Sequence, residues 1–325
     1  VTTVAVDLLG GDGAPDVVAD ALARVAEPDL DLIVVGPEQH ARDLLAERGL
    51  SGIRVVDAGR GAPMSGNPLG LLREHDDVTV SVAAGLVRAG LADAWVSAGH
   101  TGAAVAATVL ALGRLSGMAR PALAVVVPAL AGPVVLLDAG ASTEATPDVL
   151  RQFALAGWAY ATSLGIVDPA VGLLTIGTEA GKGDAVRRSA DDLLGDSLPR
   201  LGVRYAGPVE GHDVALGHAA QVVVTDGFTG NVLLKGIEGA ARWAAHRMGA
   251  AYGDPGPARE VVRATASGDF AGGMLLGVQG VTVVGHGAAT PEQVAACIRL
   301  AGRAAATGLV PATQRALAAL VGTRS

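Results

Sequence analysis

Short Val-rich runs stop abruptly at a glycine and a polar residue throughout this chain, and most are followed by a stretch with helical spacing. VAVDLL precedes DVVADALARVAE, DLIVVG precedes EQHARDLLAERG, DAWVSA precedes AAVAATVLALGR, and VGLLTIG precedes DAVRRSADDLLG. QVVVTDG leads into NVLLKGIEGAARWAAHRMG, and VTVVGHG into a closing helix from Pro291. Strands that are apolar at every position, rather than at alternate ones, have to be covered on both faces. Helical crossovers supply that cover, so the pattern predicts an α/β fold, a mainly parallel sheet sandwiched by helices. The runs ALAVVVPAL and PVVLLDAG have no helix between them and predict an antiparallel pair. The clearest break in the second half is GDPGPARE, residues 253–260.

Composition narrows the chemistry. Half the residues are hydrophobic but only 3% are aromatic and 46 are glycine, so the core has to be Ala, Val and Leu at short inter-element distances. A net charge of −8 leaves no basic surplus to neutralise a nucleic-acid backbone, and none is expected as a partner. The lone Cys297, in VAACIRLAG, excludes an internal disulfide and reads as core. The apolar stretches run to about a dozen residues, too short to span a bilayer. With no charged leader before VTTVAVDLLGGD, a cytoplasmic protein is expected.

Ligands of an open parallel sheet collect at the carboxyl ends of its strands. Here those ends read DLLGGDGAP, VSAGHTGA, LLDAGAS, TIGTEAGKG, VTDGFTGN and VVGHGAA, and together they predict a rim for an anionic, phosphate-bearing ligand. In SAGHTGA, Gly99 and Gly102 flank His100 and Thr101 at the mouth of a helix, with Thr101 the expected N-cap. Lysine is rare: Lys182 and Lys235 stand against arginine everywhere else, and both lie in glycine-rich segments. A compact ammonium approaching a phosphate or thioester oxygen is not replaced by a guanidinium fork. No Walker loop, dinucleotide fingerprint, nucleophile elbow or zinc spacing occurs. Asp7, Asp12, Asp138 and Asp226 could gather round Mg²⁺, but turn capping is the preferred reading, so no metal is expected.

VAVDLLGGDGAP, ADAWVSAGHTGA, GRLSGMARPALA, VVLLDAGAS, IGTEAGKGD, VEGHDV, VVVTDGFTGNVLLKGIEG and LLGVQGVTVVGHGAA, in that order from residue 4 to about 309, resemble the acyl-carrier-protein:phosphate acyltransferase family of bacterial phospholipid synthesis. The resemblance implies a fold similar to isocitrate and isopropylmalate dehydrogenases, over one catalytic domain spanning 1–325 or two lobes with the active-site cleft between them. It implies a homodimer, no cofactor, and a reaction in which inorganic phosphate displaces acyl carrier protein from a fatty-acyl thioester. Lys182, Thr229 and Asn231 are then the expected catalytic residues. Gly99, His100, Thr101, Gly102, Asp138, Ser142, Gly181, Gly183, Asp226, Gly230 and His286 are the expected substrate and phosphate contacts. The alternatives are a phosphotransacetylase-like enzyme using acyl-CoA, or a non-catalytic paralogue that binds acyl carrier protein.

The chain departs from the family pattern at the rim. His100 and Ser142 stand where the family has Asn, Thr175 replaces another Asn, and EHDDVTV keeps Asp77 but loses two lysines. The family's amphipathic helical hairpin after IEG is expected to be shorter here, over residues 240–271, with little apolar material at its tip and only weak peripheral membrane contact.

Overall fold

The computed structural model describes residues 1–25, 27–63, 68–179, 181–264 and 270–322. It divides into two compact units, Val1–Leu115 with Ala271–Pro311, and Ser116–Phe270 with Ala312–Ser325. The first unit opens with β1 (Thr2–Asp7), α1 (Asp16–Leu22), β2 (Leu30–Gly36), α2 (Glu38–Glu47) and β3 (Arg54–Asp57). It continues through α3 (Pro68–Glu74), α4 (Thr79–Arg88), β4 (Ala94–Ser97) and α5 (Thr101–Leu112). The second unit runs β5 (Ala122–Ala129), β6 (Gly132–Leu137), α6 (Pro147–Ser163), β7 (Val171–Leu174), α7 (Ala185–Arg200) and β8 (Tyr205–Val209). Then come α8 (Gly211–Leu216), β9 (Val222–Val224), α9 (Gly227–Tyr252) and α10 (Gly256–Ala264). The chain returns to the first unit with β10 (Gly272–Leu276), β11 (Val281–Gly285) and α11 (Pro291–Ala306), and ends in α12 (Leu309–Gly322).

Strands of the first unit lie in the order β3-β2-β1-β4-β11-β10, parallel except for the last pair. The central strand β4 is buried at every residue, as strands covered on both faces must be. One cover is α11, packed on β1, β4 and β11 with α1 beside it; α4 packs on β1, β2 and β4 with α5 alongside. The second unit runs β5-β6-β9-β7-β8. Its β5–β6 pair is antiparallel, as the missing helix between them predicts, and β6, β9, β7 and β8 run parallel. On one side Val127, Val134, Leu136, Leu174, Val209 and Val223 form a closed aliphatic cluster. Leu233, Leu234 and Ile237 of α9 pack against it. The almost wholly buried α6 packs on β6 and β9, its Phe153 and Tyr160 fully covered.

On α9, Trp243 and Met248 are exposed, and the helix buries only Gly227, Gly230 and Gly249. The α9–α10 hairpin also leaves Tyr252 and Val261 in solvent, so it carries more apolar surface than GDPGPARE suggests; residues 265–269 of the 240–271 stretch lie outside the described residues. Among the described residues no single helix is long and apolar enough to cross a membrane.

Candidate active site

In the second unit β6, β9 and β7 are adjacent and parallel, so their carboxyl ends bring three predicted segments side by side. LLDAGAS follows β6. Asp138 is fully buried, and its Oδ1 accepts from the N–H groups of Leu123 (3.0 Å), Gly140 (2.9 Å) and Ala141 (2.9 Å). Its Oδ2 accepts from the N–H and the hydroxyl of Ser142, both at 2.7 Å. A buried carboxylate met by this many donors is an organiser: it folds the loop around itself. The hydroxyl of Ser142 is consequently committed to Asp138.

TDGFTGN follows β9 and opens α9. Asp226 is the N-cap, its Oδ1 accepting from the Thr229 N–H (2.9 Å) and its Oδ2 from the Thr229 hydroxyl (2.8 Å). Two glycines let this helix end touch the Asp138 loop backbone to backbone. A Cβ at Gly227 would lie 1.9 Å from the Ser142 carbonyl oxygen, and one at Gly230 1.9 Å from that of Asp138. Asn231 completes the join, donating from Nδ2 to the Ala139 carbonyl at 3.0 Å.

GTEAGKGD follows β7 and opens α7. Gly181 and Gly183 take φ of 86° and 87°, the left-handed region that excludes most side chains. Between them Lys182 is exposed, and its ammonium has no hydrogen-bond or ion-pair partner among the described residues. The other lysine, Lys235, is occupied by Glu238 on the surface of α9 at 2.8 Å. Asp184 caps α7, accepting from the Arg187 N–H at 2.8 Å. The Arg187 guanidinium then reaches both Asp184 and Asp226, pairing the caps of the two helices. Burial alone would push the Asp226 carboxyl up; the Thr229 N–H and hydroxyl and the Arg187 guanidinium outweigh it and hold it below the ordinary carboxylate value.

The first unit gathers its own rim from β1, β4 and β11, also adjacent and parallel. Asp7 is buried at the end of β1, where Ser97 Oγ donates to it at 2.6 Å and the Leu9 N–H at 3.0 Å. Burial pushes its carboxyl above the ordinary value, and these hydrogen bonds offset only part of that. Ser97 in turn accepts from the Gly99 N–H at 3.0 Å. The N-cap of α5 is His100, not Thr101: His100 Nδ1 accepts from the Ala103 N–H at 3.1 Å, and Thr101 is the first helical residue. Imidazole Nδ1 thus does the capping work that an Asn side-chain oxygen can do. Gly102 lies against the His100 ring, within 2.9 Å of its Cε1 for a built Cβ. His286 at the end of β11 makes a similar local turn, accepting from the Ala288 N–H at 3.2 Å.

Of the predicted residues, Asp138, Ser142, Asp226, Thr229, Gly230 and Asn231 form one hydrogen-bonded assembly, with Gly181, Lys182 and Gly183 on the loop before α7. Gly99, His100, Thr101, Gly102 and His286 belong to the first unit. Thr229, Asn231 and Ser142 direct their donors inward, so among the described residues the free cation of the assembly is Lys182. Sequence reasoning does not single out Arg187 or Ser97. The spacing Asp184-x-x-Arg187 is the available signal for the first, but arginine is too common in this chain to stand out. Of the four aspartates considered for Mg²⁺, Asp7 and Asp12 belong to the first unit and Asp138 and Asp226 to the second; among the described residues no group of three or more His, Cys, Asp or Glu could hold a metal ion.

The fold is an α/β fold that phosphotransacetylases and 4-hydroxythreonine-4-phosphate dehydrogenases share. A phosphotransacetylase from Streptococcus pyogenes superposes with a TM-score of 0.66 at 18% identity, over 94% of both chains. A putative 4-hydroxythreonine-4-phosphate dehydrogenase from Salmonella typhimurium gives 0.58 at 17% identity over 93% of this chain and 99% of that one. The chain belongs to the family described as "Fatty acid synthesis protein", which matches residues 2–311. Its relatives include the phosphate acyltransferases of Thermobifida fusca, 41% identical over 91% of this chain and 86% of that one, and of Thermus thermophilus, 40% identical over 98% and 99%.

Proposed function

We propose that this chain is an acyltransferase that moves a fatty-acyl group from acyl carrier protein to inorganic phosphate for phospholipid synthesis. A phosphate oxygen attacks the thioester carbonyl, the tetrahedral oxyanion collapses, and the C–S bond breaks. The phosphate proton ends on the departing thiolate, leaving acyl phosphate and carrier thiol. Phosphate is its own nucleophile here, so the protein has to hold two anions and a carbonyl in line and stabilise the oxyanion. Lys182 supplies the charge, and the Asp226 cap, Thr229 and Asn231 fix the neighbouring α9 terminus. Gly99, His100, Thr101, Gly102 and His286 form a polar rim of the first unit. We further infer a homodimer, supported by the exposed Phe228, Trp243 and Met248 on α9, the residue types that protein interfaces favour.

What carries this reading is identity to phosphate acyltransferases along nearly the whole chain, together with Lys182 left unpartnered among the described residues beside two capped helix ends. The test is a panel of long-chain acyl-ACP, long-chain acyl-CoA and acetyl-CoA, each with and without phosphate, scoring acyl phosphate by hydroxylamine capture. Phosphate-dependent product from long-chain acyl-ACP is expected. Product from acetyl-CoA alone would reassign the chain to coenzyme A chemistry, and silence across the panel would favour a non-catalytic carrier-binding role.

A further inference from the structure

One guanidinium joins the starts of two helices in the second unit. Helices α7 and α9 each open on a carboxylate cap, Asp184 and Asp226, at the ends of neighbouring parallel strands. Arg187 Nη1 donates to Asp184 Oδ2 at 2.8 Å. Its Nη2 donates to Asp226 Oδ2 and lies 3.3 Å from Thr229 Oγ1 and 3.4 Å from Thr225 Oγ1. The pair is well covered, the Arg187 side chain 17% exposed and that of Asp226 11%. A planar fork can hold two carboxylates at once; an ammonium on a flexible stem would hold one.

We propose that Arg187 is a positioning residue for the phosphate site. It locks Asp226 and Thr229 at the start of α9, and through the Asp184 cap it ties the Lys182 loop to the same point. The proposal rests on the acyl-transfer reading and deepens it. Two consequences follow from the geometry. Caps satisfy helix donors but put two negative charges near an incoming anion, and Arg187 cancels one of them. It also adds to the Thr229 donors in holding the Asp226 carboxyl below the ordinary carboxylate value. The charged groups around Asp226 are Arg187 and, behind it, Asp184 from α7, with Asp138 from the loop after β6 lying against its neighbour Gly227. Without the guanidinium Asp226 loses its ion-pair partner, and its carboxyl has to titrate at higher pH.

The experiment compares Arg187→Met and Arg187→Lys, alone and with Asp226→Asn, at saturating acyl-ACP. Arg187→Met is expected to raise the phosphate KM by about tenfold, the worth of one charge-assisted hydrogen bond, with a smaller loss in kcat. Its Asp226 carboxyl, followed by ¹³C NMR, should titrate at higher pH than in the wild type. Arg187→Lys, which keeps the charge and the fold but not the span, should recover the titration and only part of the KM. In the Asp226→Asn background the added loss from Arg187→Met should shrink below threefold. An unchanged phosphate KM together with an unchanged Asp226 titration in Arg187→Met would overturn the proposal, whatever happens to kcat or Tm. Should the wild type make no acyl phosphate, the acyl-transfer reading fails. The NMR titration and calorimetry with inorganic phosphate would then still decide the role of Arg187.

Discussion

Gly230→Ala tests the join between α9 and the Asp138 loop, the contact that builds the second-unit rim. The new Cβ would lie 1.9 Å from the Asp138 carbonyl oxygen, with Thr225 Cγ2 at 3.0 Å behind it. A relaxed C···O contact needs about 3.3 Å, so one backbone has to retreat by about 1.4 Å. Neither side is a flexible side chain: Asp138 is held by its five donors, and Gly230 by its own N–H to the Asp226 carbonyl at 3.0 Å. Overpacking of this severity costs about 3 kcal/mol or slightly more, and Tm should fall by roughly 4–5 °C in a chain of this size. A shift of about 1 Å at the start of α9 should also lower kcat about 100-fold. The matched control is Gly236→Ala on the same helix, where a Cβ meets nothing within 4 Å. It removes a mid-helix glycine and should stabilise by about 0.5–1 kcal/mol. Differential scanning fluorimetry and the hydroxylamine assay read both variants. If Gly230→Ala kept the wild-type Tm and turnover, the close backbone approach would be wrong, and with it the placement of Thr229 and Asn231.

Other substitutions probe the remaining parts. Asp138→Asn turns an acceptor-only group into one that points an NH₂ at loop N–H groups, so the denaturation midpoint should drop by the equivalent of about 3–5 kcal/mol; a small change would mean the loop does not depend on that carboxylate. The buried Asp7 carboxyl titrates above its ordinary value of 3.8, so its contribution to stability is full below that value and is lost as pH rises through the folded one. Asp7→Asn should therefore equal or exceed the wild type in Tm at pH 7 and flatten the pH profile above 4. A less stable variant at pH 7 would contradict the sign. Burial pushes the Cys297 thiol up to about 12, so a thiol reagent at pH 8 should leave the folded protein unmodified and label it only after unfolding.

The sheet is legible in the sequence because its central strands are apolar up to their carboxyl ends; residues 94–96 and Val222–Val224 cannot be covered any other way. Edge elements are not. β8, Tyr205–Val209, carries Gly207 and Pro208 at the end of its sheet order, where pairing on one side tolerates both. β10 reads GGMLL, too short and glycine-rich to announce a strand. At the site, TDGFTGN and GKGD are visible because glycine and a capping aspartate serve local backbone needs that are written locally. Arg187 is invisible because its meaning lies in Asp226, which is distant in sequence and brought near only by β7 and β9 pairing. The cap of α5 falls one residue from its expected place because imidazole is an uncommon cap, although Nδ1 is as good an acceptor as a hydroxyl.

The most direct test of acyl transfer centred on Lys182 is phosphate-dependent turnover of long-chain acyl-ACP by wild type and Lys182→Ala, each with its Tm. Lys182 is exposed and unpartnered among the described residues, so its removal should change stability by no more than about 0.5 kcal/mol. Loss of the charge that meets phosphate or the oxyanion should lower kcat/KM by about 100-fold or more. A folded variant with that loss is the predicted result. Full turnover by Lys182→Ala would remove Lys182 from the site and contradict the account.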